Sequence, residues 1–230
     1  MPDAMPTVEW IPTLPPAILL VAAIVVLLVG ILTPRQWPLF SLLITVVAIG
    51  LAAQITKEWI PYRGNSTFNE FLQYDIFGRM GVMISLLAGL LVALTSLRTI
   101  EQNKLPAAEY YSLLLFGIFG MVVVSLSQEL ITLFLGVEIV AFAIYILSGL
   151  ERQSERSVEA SFKYFILGAF SSAFLIFGIV FLYGGSGGET LIDQIGGFTP
   201  GRTPAWQAGC FALGFGLVLA GLAFKLTLVP

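Results

Sequence analysis

The stretch PAAEYYSLLLFGIFGMVVVSLSQELITLFLGVEIVAFAIYILSGL, residues 106–150, decides the fold of this chain. As one helix rising 1.5 Å per residue it would be about 68 Å long, more than twice the thickness of a bilayer core. Its one polar cluster is SLSQE, residues 125–129, so the chain must turn back there. We therefore predict two membrane-spanning helices, Pro106–Leu126 and Gln128–Leu150, joined by a tight turn.

Five further apolar runs lie on either side of this stretch, and polar loops separate them. Of the whole sequence, 57% is hydrophobic and only 11% is charged, against roughly 25% charged in an average soluble domain. We expect an all-α, polytopic membrane protein with about seven transmembrane helices. The five additional helices are predicted at Pro15–Leu32, Leu39–Thr56, Phe77–Leu97, Val158–Tyr183 and Trp206–Pro230, with loops at Lys57–Asp75, Glu151–Ser157 and Gly184–Pro204.

Several classes of function are excluded by composition. The 11 Lys and Arg against 14 Asp and Glu give a net charge of −3, and a nucleic-acid binder needs a basic surface. A single cysteine, Cys210, and the absence of histidine rule out a four-cysteine iron–sulfur cluster and a histidine-ligated haem. No glycine-rich nucleotide motif occurs. We therefore predict no cofactor and no metal on this chain.

The distribution of basic residues predicts the orientation in the membrane, because short inner loops are enriched in Lys and Arg. The head before the first helix has no Lys or Arg, which is unlike a signal peptide, so we expect an uncleaved first helix. An outer N-terminus would put five basic residues in short inner loops and four in longer outer stretches. The inner set is Arg35, Arg98, Lys104, Arg152 and Arg156; the outer set is Lys57, Arg63, Arg79 and Arg202.

Glu138 lies near the middle of a predicted helix, and Lys163 and Lys225 are the two basic residues that lie neither in a loop nor at a helix end, so these three are the candidate functional residues. A charge at a helix centre costs at least about 2.5–3.5 kcal/mol to insert, and such residues usually face the bundle interior and mark an ion or proton path. Each also has a structural alternative. Glu138 could be a protonated packing residue, Lys163 could pair with Glu159 one turn earlier, and Lys225 could reach the headgroups.

Lys225 shares one helix face with Gly214, Val218 and Gly221, which precede it at helical spacing. Small residues on that face allow close approach of another helix. Pro230 should disturb the carbonyl of Leu226 one turn back, so we predict a seventh helix that is broken close to Lys225.

Motifs in the second half of the sequence resemble a known family. They are SQELITLFLGVE at 127–138, EASFKYFILGAFSS at 159–172, LYG at 182–184 and AFKLTLVP at 223–230. They resemble the antiporter-like membrane subunits, and in particular the subunit N (subunit 2) family of the proton-pumping NADH:quinone oxidoreductase, respiratory complex I. Family members are about twice this length and contain inverted helix repeats. We therefore expect the N-terminal part of such a fold, with three helices in residues 1–105 and an incomplete first repeat in residues 106–230.

The resemblance implies a function for the three charged residues. Glu138 and Lys225 would form a coupled pair near Lys163, and this relay would translocate protons while the complex reduces quinone. NADH, FMN, iron–sulfur clusters and quinone would be bound by other subunits. The implied partners are those membrane and peripheral subunits and the lipid of an energy-transducing membrane, the bacterial plasma membrane. The alternatives are a subunit of a multisubunit cation/proton antiporter and a structural membrane scaffold.

Overall fold

The computed structural model describes residues 11–32, 37–58, 65–67, 71–195 and 204–226, and these are nearly all helical. The seven helices predicted from the sequence are present, each long and apolar enough to cross a membrane. A 3-10 turn at Ile11–Thr13 precedes the first of them. The helices are α1 (Leu14–Leu32), α2 (Pro38–Glu58), α3 (Ile76–Asn103), α4 (Ala107–Leu126), α5 (Leu130–Ser148), α6 (Glu155–Ser186), the short α7 (Ile192–Ile195) and α8 (Ala205–Lys225).

The predicted turn inside the long apolar stretch is confirmed. Helix α4 ends at Leu126, and Ser127 and Glu129 are extended before α5 begins at Leu130. Glu129 caps α5, since its carboxylate accepts hydrogen bonds from the backbone N–H of Thr132 at 2.7 Å and from its hydroxyl at 2.8 Å. The first turn of a helix has unpaired N–H groups, and this cap satisfies one of them.

Helices α3 and α6 extend well past a predicted end, because caps rather than hydropathy set where these ends lie. Helix α3 passes the predicted end at Leu97 and stops at Asn103, where Lys104 adopts a left-handed conformation with φ of 51°. Helix α6 begins before Val158, because the hydroxyl of Ser154 accepts a hydrogen bond from the backbone of Ser157. Both extensions carry charged residues, which a purely apolar criterion excludes from the helix.

The predicted loop Lys57–Asp75 contains a small antiparallel hairpin that the sequence did not indicate. Strand β1 (Asn65–Thr67) pairs with β2 (Leu72–Tyr74), with Asn65 opposite Tyr74. The Tyr74 side chain is buried, and this burial raises the pKa of its hydroxyl above the ordinary tyrosine value.

Backbone hydrogen bonds hold together three segments that connect helices at one end of the bundle. We call this end the hairpin end (residues 71–75, 127–129 and 189–192). The N–H of Gln128 donates to the carbonyl of Phe71 at 2.9 Å, and the N–H of Leu130 donates to that of Thr190 at 3.1 Å. At the opposite end, the Arg152 guanidinium pairs with Glu109 at 3.1 Å. Consecutive long helices from α3 to α6 therefore run in alternating directions, as membrane crossings must.

Helix α4 is the centre of the first half of the bundle. It packs against α1, α3 and α5, and its residues Tyr111, Leu115, Ile118 and Val122 are fully buried. Helices α5, α6 and α8 follow on one side, with a second hydrophobic cluster around Leu175. Helix α4 contacts α1 and α3 on one side and α5 on the other, so no gap separates the first helices from the later ones. The predicted division of the chain between residues 105 and 106 therefore stays a prediction.

Large apolar side chains also cover the outer faces of the described helices. They include Leu28, Leu87, Phe170 and Phe177, which are half or more exposed. In water these side chains would form apolar patches far larger than a soluble monomer tolerates, whereas in a bilayer they contact lipid. The arrangement is that of the polytopic membrane protein predicted from the sequence.

Candidate functional site

Glu138 lies near the midpoint of α5, so its carboxyl group is far from both ends of the helix. The cap at Glu129 sets where α5 begins, and the close contact between Gly136 of α5 and Gly120 of α4 holds the helix against the core. A carboxyl group at this depth needs a polar partner, because the surrounding hydrocarbon supplies none.

Lys225 is the last residue of α8, and its side chain extends from that helix toward Glu138 of α5. Its face of α8 is the one predicted from the sequence, since Gly214, Val218 and Gly221 are the buried residues of that helix. The N–H of Leu226 still donates to the carbonyl of Leu222 at 2.8 Å. Pro230, on which the predicted break in the helix depends, lies outside the described residues.

Helices α6 and α8 approach each other closely enough to fix the position of Lys225. A methyl group added at Gly214 would lie 2.6 Å from the backbone nitrogen of Leu182, and one added at Gly178 would lie 2.7 Å from that of Val218. Farther along, the Ser171 hydroxyl donates to the carbonyl of Gly221 at 2.9 Å, one turn from Lys225. Only residues without a side chain permit this backbone contact.

The structure brings Glu138 and Lys225 into direct contact. The Nζ of Lys225 lies 2.7 Å from the Oε1 of Glu138, and the two side chains are only 10% and 15% exposed. The two residues are 87 positions apart in the sequence. An ion pair that is removed from solvent in this way interacts more strongly than a surface pair, because little water screens it.

Ser172 of α6 is a third member of the site that the sequence analysis missed. Its hydroxyl lies 2.7 Å from the same Oε1 of Glu138. The sequence offered one signal, a hydroxyl residue in an apolar part of the helix, nine residues from Lys163, the nearest charged residue along the chain. Helices commonly satisfy such hydroxyls on their own backbone, so the signal does not by itself indicate a site.

Lys163, the third predicted site residue, is placed elsewhere. It forms an ion pair with Glu159, four residues earlier on α6, and the two side chains are 68% and 64% exposed. This is the structural alternative considered from the sequence. The structure therefore brings together two of the three candidates and leaves Lys163 on the outer face of α6.

A cavity of about 420 Å³ opens beside Lys225. Most of its lining is apolar, and the polar groups on its wall come from Ser85, Ser125, Tyr145, Tyr164 and Lys225. The volume suffices for several water molecules, each of which needs about 30 Å³. Within the described ranges, no three His, Cys, Asp or Glu side chains are grouped as a metal site would require.

Comparison with known proteins is consistent with this fold. Residues 127–230 match the model of a family described as NADH:quinone oxidoreductase/Mrp antiporter, transmembrane. NADH-quinone oxidoreductase subunit N 1 of Herpetosiphon aurantiacus is 33% identical, with 98% of this chain and 46% of that protein aligned. F(420)H(2) dehydrogenase subunit N of Methanosarcina mazei is 32% identical, with 94% of this chain and 44% of that protein aligned.

Two solved structures share the fold. A chain of respiratory complex I from Thermus thermophilus with bound aureothin superposes with a TM-score of 0.71 at 24% identity, covering 91% of this chain and 43% of that one. A chain of an archaeal membrane-bound sulfane sulfur reductase gives a TM-score of 0.74 at 21% identity, covering 92% and 44%.

The chain is thus an integral multi-pass membrane protein whose residues 127–230 match the antiporter-like transmembrane family. Within that family it is similar to subunit N along almost its whole length, which confirms the resemblance seen in the sequence motifs. The chain spans less than half the length of these relatives.

Proposed function

We propose that this chain is a proton-translocating membrane subunit of an NADH:quinone oxidoreductase, and that Glu138 and Lys225 form its relay. The observation that carries the proposal is the buried contact of 2.7 Å between the two side chains. The sequence has subunit N relatives, and in it this contact joins two side chains that can each bind and release a proton, a carboxyl group and an amine. Intramembrane ionisable residues in such positions commonly lie on proton paths.

The relay works by electrostatic coupling. Even when about 7 Å apart, two unit charges at an effective dielectric constant of about 20 interact by about 2.4 kcal/mol. Contact between the residues therefore favours an ionised Glu138 and a protonated Lys225. When they separate, Lys225 releases its proton and Glu138 takes one up, so the two proton transfers are coupled. Lys163 would join the relay after it releases Glu159, and the cavity beside Lys225 would hold water for the transfer.

In this proposal the redox chemistry takes place on other subunits, which hold NADH, FMN, the iron–sulfur clusters and quinone. A change of conformation or charge that arises there would separate and rejoin the pair. The electron donor is a property of those partners, since the two curated relatives named above carry the names of complexes with different donors.

A second candidate is a subunit of a stand-alone cation/proton antiporter, because the description of the matching family includes Mrp antiporters. Affinity purification through a tag on the full-length native protein separates the two candidates. We expect NADH-oxidising and quinone-reducing activity to copurify with the tagged chain. Recovery with other antiporter subunits alone, without NADH oxidation, would contradict the proposal and favour the second candidate.

We further propose that the N-terminus lies outside, so the hairpin end faces outward and the Arg152 end faces the interior. Two exposed positions at opposite ends of α6, Gln153 and Glu189, test this orientation. In a Cys210→Ser background, a membrane-impermeant maleimide added to intact cells should label Glu189→Cys and leave Gln153→Cys unlabelled. Inverted vesicles should give the reverse pattern, and labelling of Gln153→Cys in intact cells would refute the orientation.

A further inference from the structure

Ser172 has one hydroxyl hydrogen but two acceptors within reach. Its Oγ lies 2.7 Å from Oε1 of Glu138 and 3.0 Å from the backbone carbonyl of Gly168, one turn earlier on α6. A serine hydroxyl donates one hydrogen bond and accepts others. It can therefore donate to the carboxylate or to the carbonyl, but not fully to both.

Few other groups near Glu138 could form a hydrogen bond with its carboxyl group. Lys225 approaches from α8, and Tyr145 is the other titratable residue of α5. The part of α4 that packs here, residues 112–126, has no titratable side chain. On α6, Lys163 is paired with Glu159. Ser172 is thus the neutral group that hydrogen-bonds the carboxyl of Glu138 in the described part of the chain.

The position of Gly168 is set by a close contact with α5. A methyl group added at Gly168 would lie 1.8 Å from the hydroxyl oxygen of Tyr145, so this residue has no room for a side chain. The contact brings α6 close to α5 one turn from Ser172. The Gly168 carbonyl of α6 and the Glu138 carboxyl of α5 therefore both lie within hydrogen-bond distance of one hydroxyl.

We infer that Ser172 is a positioning residue that keeps Glu138 hydrogen-bonded in both of its protonation states. The inference rests on the proposed relay. While Glu138 is ionised and paired with Lys225, Ser172 donates to the carboxylate, which is a strong charge-assisted bond. When Glu138 takes up a proton, its new O–H donates to the Ser172 oxygen, and Ser172 turns its own hydrogen to the Gly168 carbonyl. No covalent bond of Ser172 changes, and the buried carboxyl is never left without a partner.

Three variants of the full native complex test this role. Ser172→Ala removes the hydroxyl, Ser172→Thr keeps it, and Ser161→Ala removes a matched hydroxyl of α6 that bonds the Tyr145 carbonyl instead of Glu138. Infrared difference spectroscopy detects the carboxyl band of protonated Glu138, which is assigned by its loss in Glu138→Gln. In Ser172→Ala this band should move to higher frequency, as a carboxyl does when it loses a hydrogen-bond partner.

Proton translocation should fall about tenfold in Ser172→Ala, because a hydrogen bond to a charged group is lost. Ser172→Thr should restore both the band and the rate, and Ser161→Ala should change neither. An unmoved Glu138 band in Ser172→Ala would overturn the inference, even if the variant is slow. That outcome is distinct from a failure of the relay itself, in which Glu138→Gln would translocate protons normally.

Discussion

Replacing Lys225 by Met, or Glu138 by Gln, is expected to abolish proton translocation while the complex still assembles. Each substitution removes one of the two groups that exchange protonation. In the pair the side chains are only 10% and 15% exposed, so the charge that remains has little access to water. Breaking a buried ion pair from one side costs roughly 3–5 kcal/mol. We therefore expect each single variant to be less stable as well as inactive.

The double variant Glu138→Gln/Lys225→Met separates these two effects. It leaves no unpaired charge, so stability should recover by most of the amount that each single variant loses. Translocation should remain absent, because neither member of the pair is left to exchange a proton. The measurements are acidification by reconstituted vesicles during quinone reduction, and thermal unfolding of the purified complex.

The matched control is an ion pair at the surface of the bundle. Arg152 and Glu109 are 77% and 40% exposed, and exposed pairs contribute about 0–1 kcal/mol. Arg152→Met and Glu109→Gln should therefore change translocation and stability little. Full translocation in both Glu138→Gln and Lys225→Met would refute the relay and favour the structural-scaffold alternative.

The second large effect is expected at the contact between α6 and α8. In Gly214→Ala the new methyl group would lie 2.6 Å from a backbone nitrogen of α6, and in Gly221→Ala it would lie 2.9 Å from the Cβ of Leu175. Backbone atoms cannot rotate away as side chains can, so the helices must separate. Overpacking of this kind costs typically 1–3 kcal/mol, and it would draw Lys225 away from Glu138.

Gly209 and Gly216 are the controls, because both lie on α8 and a methyl group added to either meets no atom within 4 Å. Gly216→Ala should be neutral or slightly stabilising, since alanine favours the helix by up to about 1 kcal/mol over glycine. Gly214→Ala and Gly221→Ala should lower the unfolding temperature and reduce translocation together. Normal translocation in both variants would show that the position of Lys225 does not depend on this contact.

The sequence predicted the helices well and their ends less well. The turn between Leu126 and Leu130 follows from one polar cluster in a stretch too long for a single crossing. The extra turns of α3 and α6 depend on the conformation of Lys104 and on the cap at Ser154. The hairpin of β1 and β2 could not be predicted, because its short polar strands pair through backbone atoms.

The candidate site was predicted in part for a similar reason. Glu138 and Lys225 were singled out because a charge in an apolar helix is costly wherever its partner lies. Ser172 was missed because a hydroxyl costs little in a helix, where it can bond a carbonyl such as that of Gly168. Its second bond, to Glu138, depends on the rotation of α6 about its own axis.

Membrane insertion, helix number and the choice of two buried charges could all be read from the chain alone, since each depends on the chemistry of a single segment and its solvent. The contact between Glu138 and Lys225, the placement of Ser172 beside them and the pairing of Lys163 with Glu159 required the folded bundle. These contacts depend on which faces of the helices pack together, and helices distant in sequence determine that packing. Here the glycines of α6 and α8 determine it, because they allow the two backbones to come into contact.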